Sequence, residues 1–303
     1  MNAVIERLPE LHVGLGWRSR GLTIFPVWAQ MPVNEVAVVA AKDVQIQERS
    51  DGPQVGQIIV HNTGKGMALL LEGELIEGGW QNRAFNADLL LEPGKSHIVE
   101  VTCVEQGRWA GTSGHARRSR LAPAGVRVGL RREAGRRQGE VWRRVSRYEP
   151  MMGATSTRSL AEHLDRVAER DRVQQDNRAS RVGNIPDAPM CGQVGVIVAL
   201  GGRPAWLEIF PTPDILAEFW TALVNAARLD ALDARDVPCP GHRARDFAVH
   251  SREMSLTVTR GAGAGQSFTT QSMPVSVRGI ASPDGDLLHA LAVDTRHPLL
   301  GAA

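Results

Sequence analysis

The sequence predicts an α+β protein: a β-rich N-terminal sandwich or barrel-like sheet, a helical and arginine-rich middle, and an α+β C-terminal part. Short apolar runs separated by turn residues fill residues 22–104, whereas residues 106–148 lose this periodicity. Further on, residues 215–229 have the apolar spacing of an amphipathic helix. With 303 residues, the chain is long enough for one large domain or two lobes.

The N-terminal strands are predicted from apolar alternation and from the turn residues that end each run. Six or seven strands at this spacing are typical of a sandwich or a barrel-like sheet. The expected strands cover residues 22–26, 36–40, 44–48, 57–61, 67–71, 88–91 and 97–104.

The rest of the chain is predicted from four signals. Residues 106–148 are rich in Gly, Arg and Ser, and we interpret them as a long functional or partly mobile excursion. Thr157 or Ser159 can cap the helix that follows. The Gly201-Gly202 dipeptide between two apolar runs predicts a hairpin, and Pro213-Asp214 opens the amphipathic helix.

These elements suggest three parts. Residues 1–110 would form a β-rich lobe that holds a composite polar site. Residues 111–189 would contain the arginine-rich loop, a helix and a linker, and residues 190–303 an α+β lobe packed with the first as one unit.

Composition excludes several classes of protein. No run reaches the length of about 18 apolar residues that a membrane-spanning helix needs, and the first residues carry acids where a signal peptide would be basic and apolar, so we expect a cytoplasmic protein without membrane association. The cysteines Cys103, Cys191 and Cys239 are far apart and form no CxxC, which argues for reduced thiols. The histidines lack metal-binding spacing, so no metal site is expected, and no cofactor is indicated.

Two polar segments are the main functional candidates. Residues 73–83 read GELIEGGWQNR and follow a very apolar strand, and residues 103–109 read CVEQGRW at the end of another. Glycines at Gly73 and Gly79 would allow the backbone to approach a ligand closely. If the two strands pair, their polar ends meet at one sheet edge and form one composite site.

The charged residues of these segments suit acid/base or anion chemistry. Glu74 and Glu105 could act as general acid or base, or hold a cation. Arg83 and Arg108 could bind a phosphate or carboxylate bidentately. The competing interpretation is a buried polar network that joins two strand ends.

The remaining polar and aromatic residues add recognition groups. Gln81 and Asn82 could read a hydrogen-bonding edge, and Trp80 or Trp109 could stack on a ring. Cys103 lies on an apolar strand, which favours a packed thiol over a nucleophile.

The two motifs together resemble the ARPP-1 family, named for its association with ADP-ribosylglycohydrolases and rhodanese-phosphatases. The likeness covers most of the chain, but only these two motifs are specific. It implies a role near NAD or ADP-ribose metabolism. The family's polar positions would correspond here to Gly73, Glu74, Gly79, Gln81, Asn82, Arg83, Cys103, Glu105, Arg108 and Trp109.

A basic stretch from Arg117 to Arg147 holds eleven arginines against two glutamates, Glu133 and Glu140. Such a block could neutralise phosphates, yet Trp142 and Tyr148 are the only aromatic residues near it, and no nucleic-acid-binding signature is visible. We therefore favour a solvated or subunit-facing loop over nucleic-acid binding.

Three functions remain open on sequence alone. The leading hypothesis is an enzyme or binding protein for a nucleotide or ADP-ribose-like ligand. The alternatives are a non-catalytic scaffold or assembly protein, which could be a homo-oligomer, and nucleic-acid binding through the arginine-rich stretch.

Overall fold

A computed structural model of the protein describes residues 5–30, 43–176, 184–261, 263–272 and 274–301. The chain divides into two units. One unit combines residues 1–35 with 178–261 and 265–303, and the other contains residues 36–177 and 262–264. The predicted α+β class is confirmed, with strands and helices in both units. No helix in the described part of the chain is long and apolar enough to cross a membrane.

Seventeen strands are described. In chain order they are β1 (Leu11–Val13), β2 (Trp17–Ser19), β3 (Leu22–Ala29), β4 (Val44–Gln47), β5 (Gln57–Asn62), β6 (Ala68–Leu70), β7 (Glu74–Gly78), β8 (Arg83–Phe85), β9 (Leu89–Leu91), β10 (Ser96–Cys103), β11 (Gly114–Leu121), β12 (Gly195–Leu200), β13 (Arg203–Ile209), β14 (Thr257–Arg260), β15 (Gln266–Ser272), β16 (Val275–Ala281) and β17 (Leu287–Asp294).

Seven helices are described. They are α1 (Ala124–Leu130), α2 (Ala134–Ser146), α3 (Glu149–Met152), α4 (Leu160–Asp176), α5 (Pro213–Asp230), α6 (Gly241–Glu253) and α7 (Pro298–Gly301).

The unit that contains both chain ends is built on an antiparallel nine-stranded sheet. Its order is β1-β3-β12-β13-β17-β16-β15-β14, and β2 pairs with β3. The Gly201-Gly202 hairpin between β12 and β13 and helix α5, capped by the Thr212 side chain, are both confirmed. Helix α6 was not predicted; its buried residues Ala244 and Ala248 pack into the core of this sheet.

The other unit is a closed six-stranded antiparallel barrel. Its strands follow the order β10-β5-β4-β11-β7-β8, and a separate ribbon pairs β6 with β9. Alternate residues point inward along each strand, so Ile46, Val60, Ile76, Phe85 and Val101 fill the interior. The prediction of a barrel-like sheet is confirmed, while the expected strand at 36–40 lies outside the described residues.

The two units of the structure differ from the three parts suggested by the sequence, whose boundaries lie after residues 110 and 189. Strand β3 pairs with the whole of β12, from Leu22↔Leu200 to Val27↔Gly195. Apolar periodicity indicates that a strand exists but not which distant strand it pairs with. The first 35 residues therefore belong with the C-terminal part of the chain.

The prediction of an irregular excursion over residues 106–148 is wrong for most of its length. Strand β11 completes the barrel, and helices α1 and α2 follow. Val126, Leu130, Val141 and Val145 are buried in i, i+4 pairs along the two helices. Four glycines within these short helices lower their intrinsic helix propensity, which hides the signal in the sequence.

Helix α2 also completes the barrel at a point where strand pairing stops. Gln138 donates its amide N–H to the Cys103 carbonyl (2.8 Å) and accepts from the Cys103 N–H (3.0 Å). The chain before β5 turns away at the Gln54↔Gln57 bridge, so it does not reach this end of β10. One side-chain amide thus replaces a strand neighbour.

Replacing Gln138 by alanine is expected to lower the free energy of unfolding by about 1–3 kcal/mol, because the buried N–H and C=O of Cys103 lose their partner. Urea denaturation measures the loss. Gln45→Ala, at an exposed position of β4, serves as control and should change stability by less than about 0.5 kcal/mol. Equal effects of the two variants would contradict this role of Gln138.

Candidate functional site

The two polar segments meet at one end of the barrel, as the sequence predicts. Strand β8 lies between β7 and β10, with Arg83 opposite both Ile76 and Cys103. The backbone N–H of Val104 donates to the Asn82 carbonyl (3.0 Å). The turn at 79–82 and the end of β10 are therefore in direct contact.

Arg83 is bound to a carboxylate that the sequence analysis did not select. Its Nη1 donates to Glu48 Oε2 (2.9 Å), and His115 Nε2 lies 3.1 Å from Glu48 Oε1. The Trp80 backbone N–H also donates to Glu48 Oε1 (3.2 Å). The side chains of Arg83 and His115 are fully buried and that of Glu48 is 3% exposed.

Within this cluster Glu48 is ionised and His115 is neutral, because the pKa of each is lowered. Burial favours protonation of Glu48, but hydrogen bonds from Arg83, Trp80 and His115 outweigh it and hold its pKa below the ordinary value. Burial, aided by the Arg83 charge, lowers the pKa of His115 despite its contact with Glu48. The cluster is thus a carboxylate, a guanidinium and a neutral imidazole.

Glu74, a candidate acid or base, lies in a separate buried ion pair. Arg117 donates to both of its oxygens, Nε to Oε1 at 2.5 Å and Nη2 to Oε2 at 3.0 Å. The Leu71 N–H also donates to Oε2 (3.3 Å). Since the side chains are 0% and 3% exposed, this pair is closed to solvent.

Glu105, the second candidate, is the centre of a larger network. Its Oε2 accepts from the Asn82 N–H (2.9 Å) and from Arg108 Nε (3.0 Å) and Nη2 (2.8 Å), and its Oε1 accepts from Thr157 (2.7 Å). Burial opposes ionisation, yet these bonds, led by Arg108, hold the pKa of Glu105 below its ordinary value. Glu105 is a fixed carboxylate that braces the turn.

Arg108 donates its hydrogen bonds to groups of the same turn and of its own loop. Besides Glu105, it donates to the carbonyls of Gly79 (2.9 Å), Gly78 (3.1 Å) and Ala110 (3.0 Å) and to Asn82 Oδ1 (3.2 Å). All five of its N–H groups therefore have acceptors within the chain. Its half-buried guanidinium shapes the loop and supplies positive charge.

Gln81 and Cys103 also make internal contacts. The Gln81 amide donates to the Glu105 carbonyl (3.3 Å), and the Cys103 thiol donates to the same carbonyl (3.0 Å). Burial raises the pKa of the Cys103 thiol, so it stays protonated at neutral pH. Cys103 is a packed thiol.

The two motif glycines allow close approach of the chain's own side chains. A Cβ at Gly79 would lie 2.1 Å from the His115 ring, and one at Gly73 would lie 2.6 Å from Arg127 Cγ. Both glycines also have positive φ, +52° and +82°. The space that was expected to admit a ligand is filled by His115 and Arg127.

The tryptophans form the accessible part of the site. Trp80 and Trp109 have ring centroids 5.5 Å apart at an interplanar angle of 60°. Trp109 is 44% exposed and Trp80 is half-buried. A solvent-facing aromatic pair thus lies on the loop that Arg108 and Glu105 hold in place.

The site also contains four residues that were not predicted as part of it, namely Glu48, His115, Arg117 and Thr157. Glu48 had a detectable signal, because in the alternating run Val44 to Glu48 it occupies a position where an inward apolar residue is expected. The other three lie in segments without apolar periodicity, so only the fold brings them to the site.

Most of the arginine-rich stretch is neutralised internally. Glu140 accepts from Arg143 and Arg144, and these bonds, Arg143 first, lower the pKa of Glu140 to about 2. Six of the eleven guanidiniums are therefore paired with carboxylates of the chain itself, which lowers the charge that the stretch offers to a nucleic-acid backbone. The paired arginines are Arg117 with Glu74, Arg120 with Glu77 and Asp165, Arg131 with Glu72, Arg137 with Glu100, and Arg143 and Arg144 with Glu140.

Gly79→Ala is expected to destabilise the protein by about 2–4 kcal/mol, because the added methyl group collides with His115 and the residue has positive φ. The control is Gly139→Ala in α2, where no atom lies within 4 Å, and it should stabilise by about 0.5–1 kcal/mol. Urea denaturation of both variants checks the opposite signs. Two changes of the same sign would contradict the packing described for His115.

Acidification is expected to destabilise the protein in two stages. The folded-state pKa of His115 lies below 6.5, so the unfolded chain binds the proton first and stability falls as pH drops below that value. The lowered pKa values of Glu48 and Glu105 contribute stability that is lost below the ordinary value of 4.5.

The free energy of unfolding measured against pH tests these two stages. His115→Gln should flatten the first stage in part, since burial also lowers the pKa of His163 and His297. An unchanged slope in His115→Gln would contradict the assignment.

The comparisons with known proteins identify a family but no individual relative. No curated protein and no solved structure gives a significant match to the chain. One family model matches residues 10–293, which is nearly the whole chain. The protein therefore belongs to the ARPP-1 family, described as the ARG and Rhodanese-Phosphatase-superfamily-associated Protein domain.

Proposed function

We propose that this protein binds a nucleotide or ADP-ribose-like ligand in NAD-related nucleotide metabolism, at the barrel end formed by Trp80, Trp109 and Arg108. The observation that carries this proposal is the tryptophan pair, with Trp109 exposed and Trp80 half-buried, on a loop held by the partly buried Arg108–Glu105 ion pair. The family name, which refers to association with ARG and rhodanese-phosphatase proteins, supports the metabolic context.

Ring stacking is the recognition chemistry that this surface offers. A base stacked on an aromatic side chain contributes about 1–3 kcal/mol. Because Arg108 is held by Glu105 and by three carbonyls, the loop is rigid before a ligand binds, and little entropy is lost on binding. The charge of Arg108 is balanced by Glu105, so its part in this surface is to hold the loop, and the rings supply the recognition.

The proposal is binding rather than acid/base turnover by Glu74 or Glu105. Glu74 is fully buried against Arg117, and Glu105 has four donors and is 4% exposed. A general acid or base must reach its substrate within hydrogen-bonding distance. Neither carboxylate has that access in this conformation.

A second candidate is a non-catalytic scaffold or assembly protein, which would include a homo-oligomer. The observation that favours it is the complete burial of the Arg83–Glu48 and Arg117–Glu74 pairs, which join strands of one barrel. In this case the polar motif is a structural brace, and the family shares it because these residues stabilise the fold.

Titration with ADP-ribose, NAD and AMP, followed by tryptophan fluorescence and calorimetry, distinguishes nucleotide binding from the scaffold role. Binding is expected to quench fluorescence, and Trp109→Ala should weaken it about tenfold. Ile98→Ala, a similarly exposed apolar position on β10, is the control and should bind like the wild type. Absence of binding at millimolar ligand would favour the scaffold, and equal binding by Trp109→Ala would exclude this surface.

A further inference from the structure

A cavity lies in the barrel unit, away from the tryptophan pair, and we name it the α2 cleft. Its volume is about 410 Å³, which lies within the range of about 300–1,000 Å³ typical of small-molecule sites. The α2 cleft is lined by Gln54, Val55, Gly56, Gln57, Asn86, Glu100, Val101, Thr102, Ala134, Arg137 and Gln138.

The cleft exists because strand pairing ends there. The segment before β5 turns away at Gln54, while β10 continues to Cys103 and is completed by Gln138 of α2. The gap between the departing chain, the end of β10 and the start of α2 is the cavity.

Side-chain amide nitrogens without partners face this space. Asn86 is 93% buried, and its Oδ1 accepts from the Thr102 hydroxyl (2.6 Å), while its Nδ2 has no partner among the described residues. The Gln57 Oε1 accepts from Arg49 (2.6 Å), which leaves the Gln57 Nε2 as a donor. The side-chain N–H groups of Asn86 and Gln57 are thus donors that a ligand oxygen in the cleft can accept from.

Helix α2 adds positive potential at the same place. The thirteen-residue helix begins at Ala134, which lines the cleft. No acid lies in its first turn, and the acidic N-cap residue, Glu133, makes no capping hydrogen bond with its side chain and does not line the cleft. The first N–H groups of a helix have no partner within it and carry partial positive charge. Arg137, one turn later, supplies a full charge.

The ion-pair partner of Arg137 indicates which kind of ligand group the α2 cleft would bind. Arg137 Nη1 donates to Glu100 Oε2 at 2.9 Å, and the Glu100 side chain is 65% exposed, whereas Arg137 is 20% exposed. An exposed carboxylate held by one contact is easily exchanged for another oxyanion, because surface ion pairs contribute little.

We propose that the α2 cleft binds a small metabolite through an oxyanion group, a phosphate or a carboxylate. The group lies between Arg137, the N-terminus of α2 and the Asn86 amide, and it replaces the Glu100 carboxylate. The remaining volume and the Gln57 amide hold the rest of the ligand. This site is independent of the proposed nucleotide site at Trp109.

Nitrogen-15 NMR titrations of the full chain test the proposal, with inorganic phosphate and citrate as probes of the two oxyanion types. We expect saturable shifts of the Ala134 and Gly135 amides and of the Asn86 side-chain NH₂. Whichever probe binds more tightly identifies the preferred oxyanion. Trp109→Ala should leave these shifts unchanged, which separates this site from the nucleotide site.

Three variants give the decisive comparison, two of which remove the same positive charge. Arg137→Gln should weaken binding about tenfold, because a charged hydrogen bond is lost. Glu100→Gln should tighten it severalfold, because the internal competitor is removed. Arg132→Gln, at an exposed position near α2, changes the net charge as Arg137→Gln does and should leave affinity unchanged.

Two results would overturn the proposal. One is the absence of saturable shifts at the start of α2 with either probe in tens of millimolar. The other is equal weakening by Arg137→Gln and Arg132→Gln, which would indicate general charge attraction. Both arginines are outside the buried core, and the NMR spectrum itself shows that each variant is folded.

Discussion

The buried carboxylate of Glu48 is the constraint on which the barrel end depends. It receives Arg83 from β8, His115 from β11 and the Trp80 backbone N–H from the turn after β7, so one side chain ties together three parts of the closed sheet. Removing one member of such a buried pair costs about 3–5 kcal/mol, because the other charge is left without compensation. The pair itself adds little net stability, and its value lies in specifying which strands meet.

This constraint explains why the polar motifs look like an active site in the sequence. Acids, arginines, amides and glycines collect there because the barrel end is closed by polar side chains rather than by a continuous apolar layer. Gly79 is required by the His115 ring and Gly73 by the Arg127 side chain. The part left for an external ligand is the rim, where Trp109 reaches solvent.

The arginine-rich stretch illustrates the same physics on a larger scale. In the sequence it is a block of about nine net positive charges between residues 117 and 147. In the fold, the carboxylates of Glu72, Glu74 and Glu100, which come from other parts of the barrel unit, pair with it. Local charge counting therefore overstates the positive potential, because neutralising partners come from elsewhere in the chain.

The sequence by itself determined the α+β class, three of the six barrel strands (β4, β5 and β10), the Gly201-Gly202 hairpin, helix α5 and the meeting of the two polar segments. These follow from local periodicity, turn residues and caps, which act over a few residues. Only the tertiary structure decided that β3 joins β12, that Arg83 binds Glu48 and that Glu74 binds Arg117. Such pairings depend on strand order and register between distant segments, and apolar periodicity carries no information about either.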